Sequence, residues 1–98
     1  MALINVLKEQ IERNEKNIAF YRVKQKSLPK GTLHEKVING RAYYYLKYRD
    51  ENGHRVDRYI KGSDVDTIKK QILKRKEIEK IVKELREDIK LAKRALGK

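Results

Sequence analysis

Two spacings alternate along this chain, and each predicts a different element. From Ile4 the apolar positions recur three and four residues apart, at Leu7, Ile11, Ile18, Tyr21 and Leu28. Asn14 and Gln25 fill the remaining places of the same stripe. Such a stripe runs along one side of an α-helix and makes a heptad seam. It predicts a helix over 2–27, stopped by Pro29 and Gly31, because proline cannot continue the backbone ladder. Asn14 lies deep in that seam, where a buried amide fixes register at a cost in stability.

From residue 32 the period falls to two, which predicts an antiparallel sheet over 32–61 with strands at 33–38, 41–49 and 54–61. Ile38-Asn39-Gly40-Arg41 is a two-residue hairpin signal. Both central positions need positive φ, and Asn-Gly supplies it at little cost. For Asp50-Glu51-Asn52-Gly53-His54 the expectation is a three-residue loop with Gly53 left-handed. A two-residue turn there would flip Val56 and Ile60 out to solvent.

Helical spacing returns over 63–96. Ser63 with Asp66 three residues on resembles a capping box, and Asp64 and Asp66 suit a helix N-terminus. Ile78, Val82, Leu85, Ile89, Ala92 and Leu96 form a second heptad seam, and Ile68 and Ile72 extend it toward the sheet after a slip near Arg75. A helix of about 32 residues is roughly 48 Å long, more than a three-stranded sheet covers. The two helices must therefore cover each other. The fold class expected is α+β: long helix, three-stranded antiparallel sheet, long helix, in one domain over 1–98. The helices form an antiparallel coiled-coil-like pair with the sheet at one end. The same seams could instead pair between two chains as a homodimer.

Strand alternation sorts the sheet residues into two faces. Leu33, Val37, Ala42, Tyr44, Leu46, Tyr48, Val56 and Ile60 make a core face, with Glu35 and Arg58 as exceptions at edges. The outer face carries His34, Lys36, Arg41, Tyr43, Tyr45, Lys47, Arg49, Arg55, Tyr59 and Lys61. Its one acid, Asp57, falls opposite Lys47, which predicts a cross-strand ion pair. In Tyr43-Tyr44-Tyr45 the middle ring points the other way.

Charge gives that outer face its interest. The chain has 26 Lys and Arg against 14 Asp and Glu, a formal +12. Such an excess attracts polyanions, although lysine-rich helix surfaces also serve solubility. Lysine and arginine neutralise phosphates, and tyrosine rings stack on bases or hydrogen-bond to the backbone. The candidate nucleic-acid contacts are Lys36, Arg41, Tyr43, Tyr45, Lys47, Arg49, Arg55, Tyr59 and Lys61, joined by Lys69 and Lys70. The last two belong to a basic cluster that also holds Lys74, Arg75 and Lys76. A second cluster is Arg22, Lys24, Lys26 and Lys30, and both fall beside the sheet in the expected arrangement. Tyrosine chosen for strand propensity, and cations that discourage edge pairing, are the plainer account of the same face.

Chemistry beyond binding is not expected. No cysteine is present, so disulfides and thiolate metal sites are excluded, which fits a reducing, cytoplasmic setting. His34 and His54 have no carboxylate pair at metal-ligand spacing, and helix capping accounts for Asp64 and Asp66. No phosphate-cradling glycine loop or nucleophile elbow appears. The expectation is a protein that is not an enzyme, with no cofactor and no metal. No apolar run approaches the ~20 residues of a membrane span, and residues 1–7 lack the features of a signal peptide.

The stretches Leu28-Pro-Lys-Gly-Thr-Leu33 and Ile38-Asn-Gly-Arg-Ala-Tyr-Tyr-Tyr-Leu-Lys-Tyr-Arg49 resemble small uncharacterised proteins of phages and mobile elements. Those proteins flank a β segment with coiled-coil helices, and the resemblance brings no activity. Residues 33–78 also resemble the arm-type DNA-binding domain of tyrosine integrases and the related AP2 fold. That resemblance implies that Arg41, Tyr43, Tyr45, Lys47, Arg49 and Arg55 face DNA. The long first helix and the length of the second depart from the pattern.

The function expected is an accessory protein that binds DNA or RNA through the outer face of its sheet. The alternative is a protein-interaction module or inhibitor, for example of a host defence nuclease such as a CRISPR effector. It would set the same basic face against a protein or ribonucleoprotein with an acidic or RNA-exposing surface.

Overall fold

The computed structural model describes residues 2–97. Helix α1 spans Ala2–Lys26, strands β1, β2 and β3 span Thr32–Ile38, Arg41–Arg49 and Arg55–Ile60, and helix α2 spans Val65–Leu96. A 3₁₀ turn over Gly62–Asp64 leads into α2. The helix–sheet–helix order and the α+β class are as the spacing predicts. The described residues divide into two compact units, one of residues up to Ser27 with those from Lys76 onward, the other Leu28–Arg75.

The first unit is a helical pair within one chain. Lys93 Nζ lies 3.9 Å from Glu15 Oε1, and Arg22 Nη1 lies 3.4 Å from Glu79 Oε1. The partner number falls as the α1 number rises, so the pair is antiparallel. Its interior holds the predicted seams: Ile78, Val82 and Ala92 are buried, and Leu7, Ile11, Ile18, Tyr21, Leu85 and Ile89 are half-buried. Both seam amides, Asn14 and Gln25, are buried as well. Gln25 donates to Glu79 and accepts from Arg22 Nη1 at 2.8 Å, so its polar groups are satisfied. Asn14 accepts from Gln10 Nε2 at 3.0 Å, but its buried Nδ2 has no hydrogen-bond partner.

The second unit is a meander in the order β1-β2-β3 with the first turns of α2 on one face. Its core is Leu46, Ile60, Val65, Ile68 and Ile72, flanked by Leu33, Tyr44 and Tyr48. Along α2 the buried stripe keeps helical spacing to Ile72 and resumes at Ile78. The slip between them is centred on half-buried Arg75, whose Nη1 donates to the Leu28 carbonyl at 2.8 Å. That slip is also where the two units divide.

Several details differ from the expectations. Ser63 sits inside the 3₁₀ turn, whose Asp64 N–H reaches the Lys61 carbonyl at 2.9 Å, and that turn opens at Lys61 without a side-chain cap. Val37 and Ala42, expected in the core, are exposed, Val37 by 67%. The cause is the stagger of the sheet. β3 pairs with Tyr44–Arg49, so Lys36–Ile38 and Arg41–Tyr43 form a two-stranded ribbon whose inner face lies outside the core cluster. Glu35 and Arg58 are exposed on the two outer strands, as their charge requires.

Candidate nucleic-acid interface

The sheet face depends on two turns and one glycine. Asn39 (φ 51) and Gly40 (φ 78) are both left-handed, the conformation a two-residue hairpin loop demands. At the second turn Gly53 has φ 81 and donates to the Asp50 carbonyl at 3.0 Å, while Asp50 N–H donates to the His54 carbonyl at 2.9 Å. Asp50 Oδ1 accepts from the backbone of Asn52 and of His54, each at 2.9 Å. This three-residue loop sets the parity the spacing predicted, with Lys47 opposite Asp57. Gly31, with φ 114, lies so close to β2 that a Cβ there would sit 2.3 Å from the Lys47 carbonyl oxygen. Only glycine lets the chain enter β1 by this route.

Register then places one set of side chains together. His34 faces Tyr45, Lys36 faces Tyr43 and Ile38 faces Arg41 across β1–β2. Tyr45 faces Tyr59, Lys47 faces Asp57 and Arg49 faces Arg55 across β2–β3. The Asp50–His54 bond fixes which of these pairs are hydrogen-bonded, because bonded and non-bonded pairs alternate along an antiparallel ladder. Arg49–Arg55, Lys47–Asp57 and Tyr45–Tyr59 are therefore non-hydrogen-bonded pairs, in which Cα atoms approach to about 4.5 Å and side chains stand closest.

Three tyrosines form the middle of this face. The Tyr45 and Tyr59 rings meet edge to face at 5.8 Å, and Tyr43 and Tyr59 are 6.5 Å apart. Lys36 Nζ sits 5.2 Å from the Tyr45 ring centre, a cation–π distance. Around them stand Lys36, Arg41, Arg49 and Arg55, all exposed, and half-exposed Lys47. Arg49 is anchored by a 2.9 Å hydrogen bond from Nη1 to the Gly53 carbonyl. Lys61 follows β3 in extended backbone, exposed.

The predicted Lys47–Asp57 ion pair does not close to 4.0 Å, although the two residues are opposite each other. Among the described residues, no ion pair of that length reaches any cation of this face. Lys69 and Lys70 do not belong to it. They lie on α2, which packs on the inner face, and Lys69 Nζ is 5.8 Å from the ring of inner-face Tyr44. Of the two basic clusters, Arg75 and Arg22 are engaged in hydrogen bonds of the fold, and Lys24 Nζ lies 4.7 Å from the Phe20 ring. Register adds Thr32 and Ile38 to the outer face; strict alternation from Lys36 would have found both.

Among the described residues, no group of three or more His, Asp or Glu side chains is placed to hold a metal ion, and no helix is long and apolar enough to cross a membrane. No curated protein and no solved structure matches the chain. Residues 2–70, covering α1, the whole sheet and the start of α2, match the family described as Domain of unknown function (DUF6788), and the chain belongs to that family.

Proposed function

We propose that this chain is a non-enzymatic accessory protein, of phage or mobile-element origin, that binds nucleic acid with the outer face of its sheet. The observation that carries the reading is a set of cations without acid partners around three tyrosines, two of which, Tyr43 and Tyr45, meet the ring of the third, Tyr59. Phosphates would take the place of the missing acids, and base edges or faces would meet the rings. The likeness to arm-type domains adds support, since it implicates the same residues. A protein partner is the second reading. Val37, exposed by 67%, and Ile38, by 50%, favour it, because branched apolar side chains at a ribbon tip suit a protein surface.

Fluorescence anisotropy with labelled duplex DNA, single-stranded DNA and RNA tests the proposal. Binding should weaken steeply with salt, by roughly 0.9 in log–log slope for each duplex phosphate contacted. The Arg41→Ala/Tyr43→Ala/Lys47→Ala variant should lose most of the affinity while keeping its helical circular dichroism. Equal affinity in the folded variant would mean diffuse attraction to a +12 chain and would remove the sheet from the account. A partner protein retained at high salt would favour the second reading.

A further inference from the structure

Arg49 and Arg55 stand directly opposite each other in a non-hydrogen-bonded pair, the closest setting a sheet offers. Like charges there repel. Among the described residues no carboxylate comes within 4.0 Å of either guanidinium to offset that. Arg49 Nη1 donates to the Gly53 carbonyl at 2.9 Å, a contact that favours the guanidinium staying beside the turn. Beside them an open depression of about 590 Å³ is lined by Lys47, Arg49, Arg55, Asp57 and Tyr48. Three cations against one carboxylate leave this lining positively charged.

We infer that Lys47, Arg49 and Arg55 form a seat for a phosphate group, an inference that rests on the nucleic-acid reading and gives it a fixed anchoring point. The planar guanidinium presents a fork of donors matched to phosphate oxygens, and lysine adds a point charge. A phosphate between the two arginines converts their repulsion into two charge-assisted contacts. Asp57 lies opposite Lys47 without pairing with it, so the ammonium is left free to turn toward the seat. The Asp50-ordered turn keeps Arg49 in place before the ligand arrives, so little ordering is left for binding to impose. The phosphate can come from an internal phosphodiester or from a free terminal phosphate, which is nearly a dianion at neutral pH.

The test is a titration of the isotope-labelled full chain with inorganic pyrophosphate, followed by amide NMR at ionic strength held constant with sodium chloride. Saturable shifts should concentrate at Lys47–Arg49, Gly53 and Arg55. Arg55→Gln should weaken the affinity about tenfold, the loss expected for one hydrogen bond to a charged group. Unsaturable shifts spread over the lysines of both helices, or unchanged affinity in Arg55→Gln, overturn the seat. A duplex oligonucleotide with a 5′-hydroxyl, and the same duplex with a 5′-phosphate, complete the set. Equal responses at the seat assign it to phosphodiesters, and a response to the phosphorylated duplex alone assigns it to terminal phosphates. Oligonucleotide shifts at Tyr43 and Tyr45 without a localised pyrophosphate response overturn the seat and leave the interface. Pyrophosphate saturation with no oligonucleotide binding keeps the seat and overturns the nucleic-acid reading.

Discussion

The helical pair and the sheet unit treat charge in opposite ways. In the helical pair, polar and charged groups are turned on one another: Arg22, Gln25 and Glu79 share hydrogen bonds, and Lys93 and Glu15 stand 3.9 Å apart. In the sheet unit the one ion pair within 4.0 Å among the described residues is His54–Asp50, inside a turn. The cations of the outer strand face have no such partner. Exposed ion pairs contribute little stability, so the contrast is not about how tightly each unit is held. It shows where charge is used up by the fold and where it is left open to a partner.

If backbone geometry rather than charge holds the sheet unit, the largest effect belongs to Gly31. Gly31→Ala combines a left-handed φ with a Cβ 2.3 Å from a carbonyl oxygen. Urea unfolding should show a loss of about 2–4 kcal/mol. An unchanged midpoint would mean that the entry into β1 has another route.

A smaller effect, of opposite sign, tests the helical pair. Asn14 buries an Nδ2 with no partner, an arrangement that costs about 1–3 kcal/mol. Asn14→Leu should therefore raise stability, by about 1–2 kcal/mol after some misfit of the longer side chain. A loss of stability would show that the amide is better satisfied in solution than its geometry indicates. A change in oligomeric state, read by light scattering, would show that the amide specifies the pairing within one chain.

The smallest effect sharpens the contrast most. Arg55 is exposed and faces another arginine. Arg55→Gln should leave thermal stability within about 0.5 kcal/mol of the wild type, the usual range for a surface substitution. A marked loss would make Arg55 a residue of the fold, and the open cations of the sheet would lose their functional interest.

Much of this was legible in the chain because periodicity reports burial directly. The heptad place of Asn14 predicted its burial despite its polarity, and the parity of Val56 and Ile60 selected the loop at Gly53. What could not be read depends on distances between elements. Val37 and Ala42 have the right parity for a core, yet the stagger of β3 leaves them exposed. Lys69 has the right charge for the outer face, but α2 lies on the inner one. Lys47 and Asp57 have the right register for an ion pair, and their side chains still do not meet. Gly31 reads as a helix stop; the close passage of β2 that makes a side chain intolerable there is a tertiary fact.

The hydrogen bond from Arg75 to the Leu28 carbonyl has a consequence in chain entropy. Gln25 and Glu79 are 54 positions apart, and joining such distant points in a disordered chain costs more than closing a loop of three. The logarithmic law puts the difference at about 2.5 kcal/mol. The meander avoids one such closure, because it is assembled from two tight turns. Once formed, its two ends are fastened together at Leu28 and Arg75, so the segments that become the helical pair leave from neighbouring points. A bond between a half-buried guanidinium and a carbonyl just past the end of α1 thus shortens the effective loop for half of the molecule.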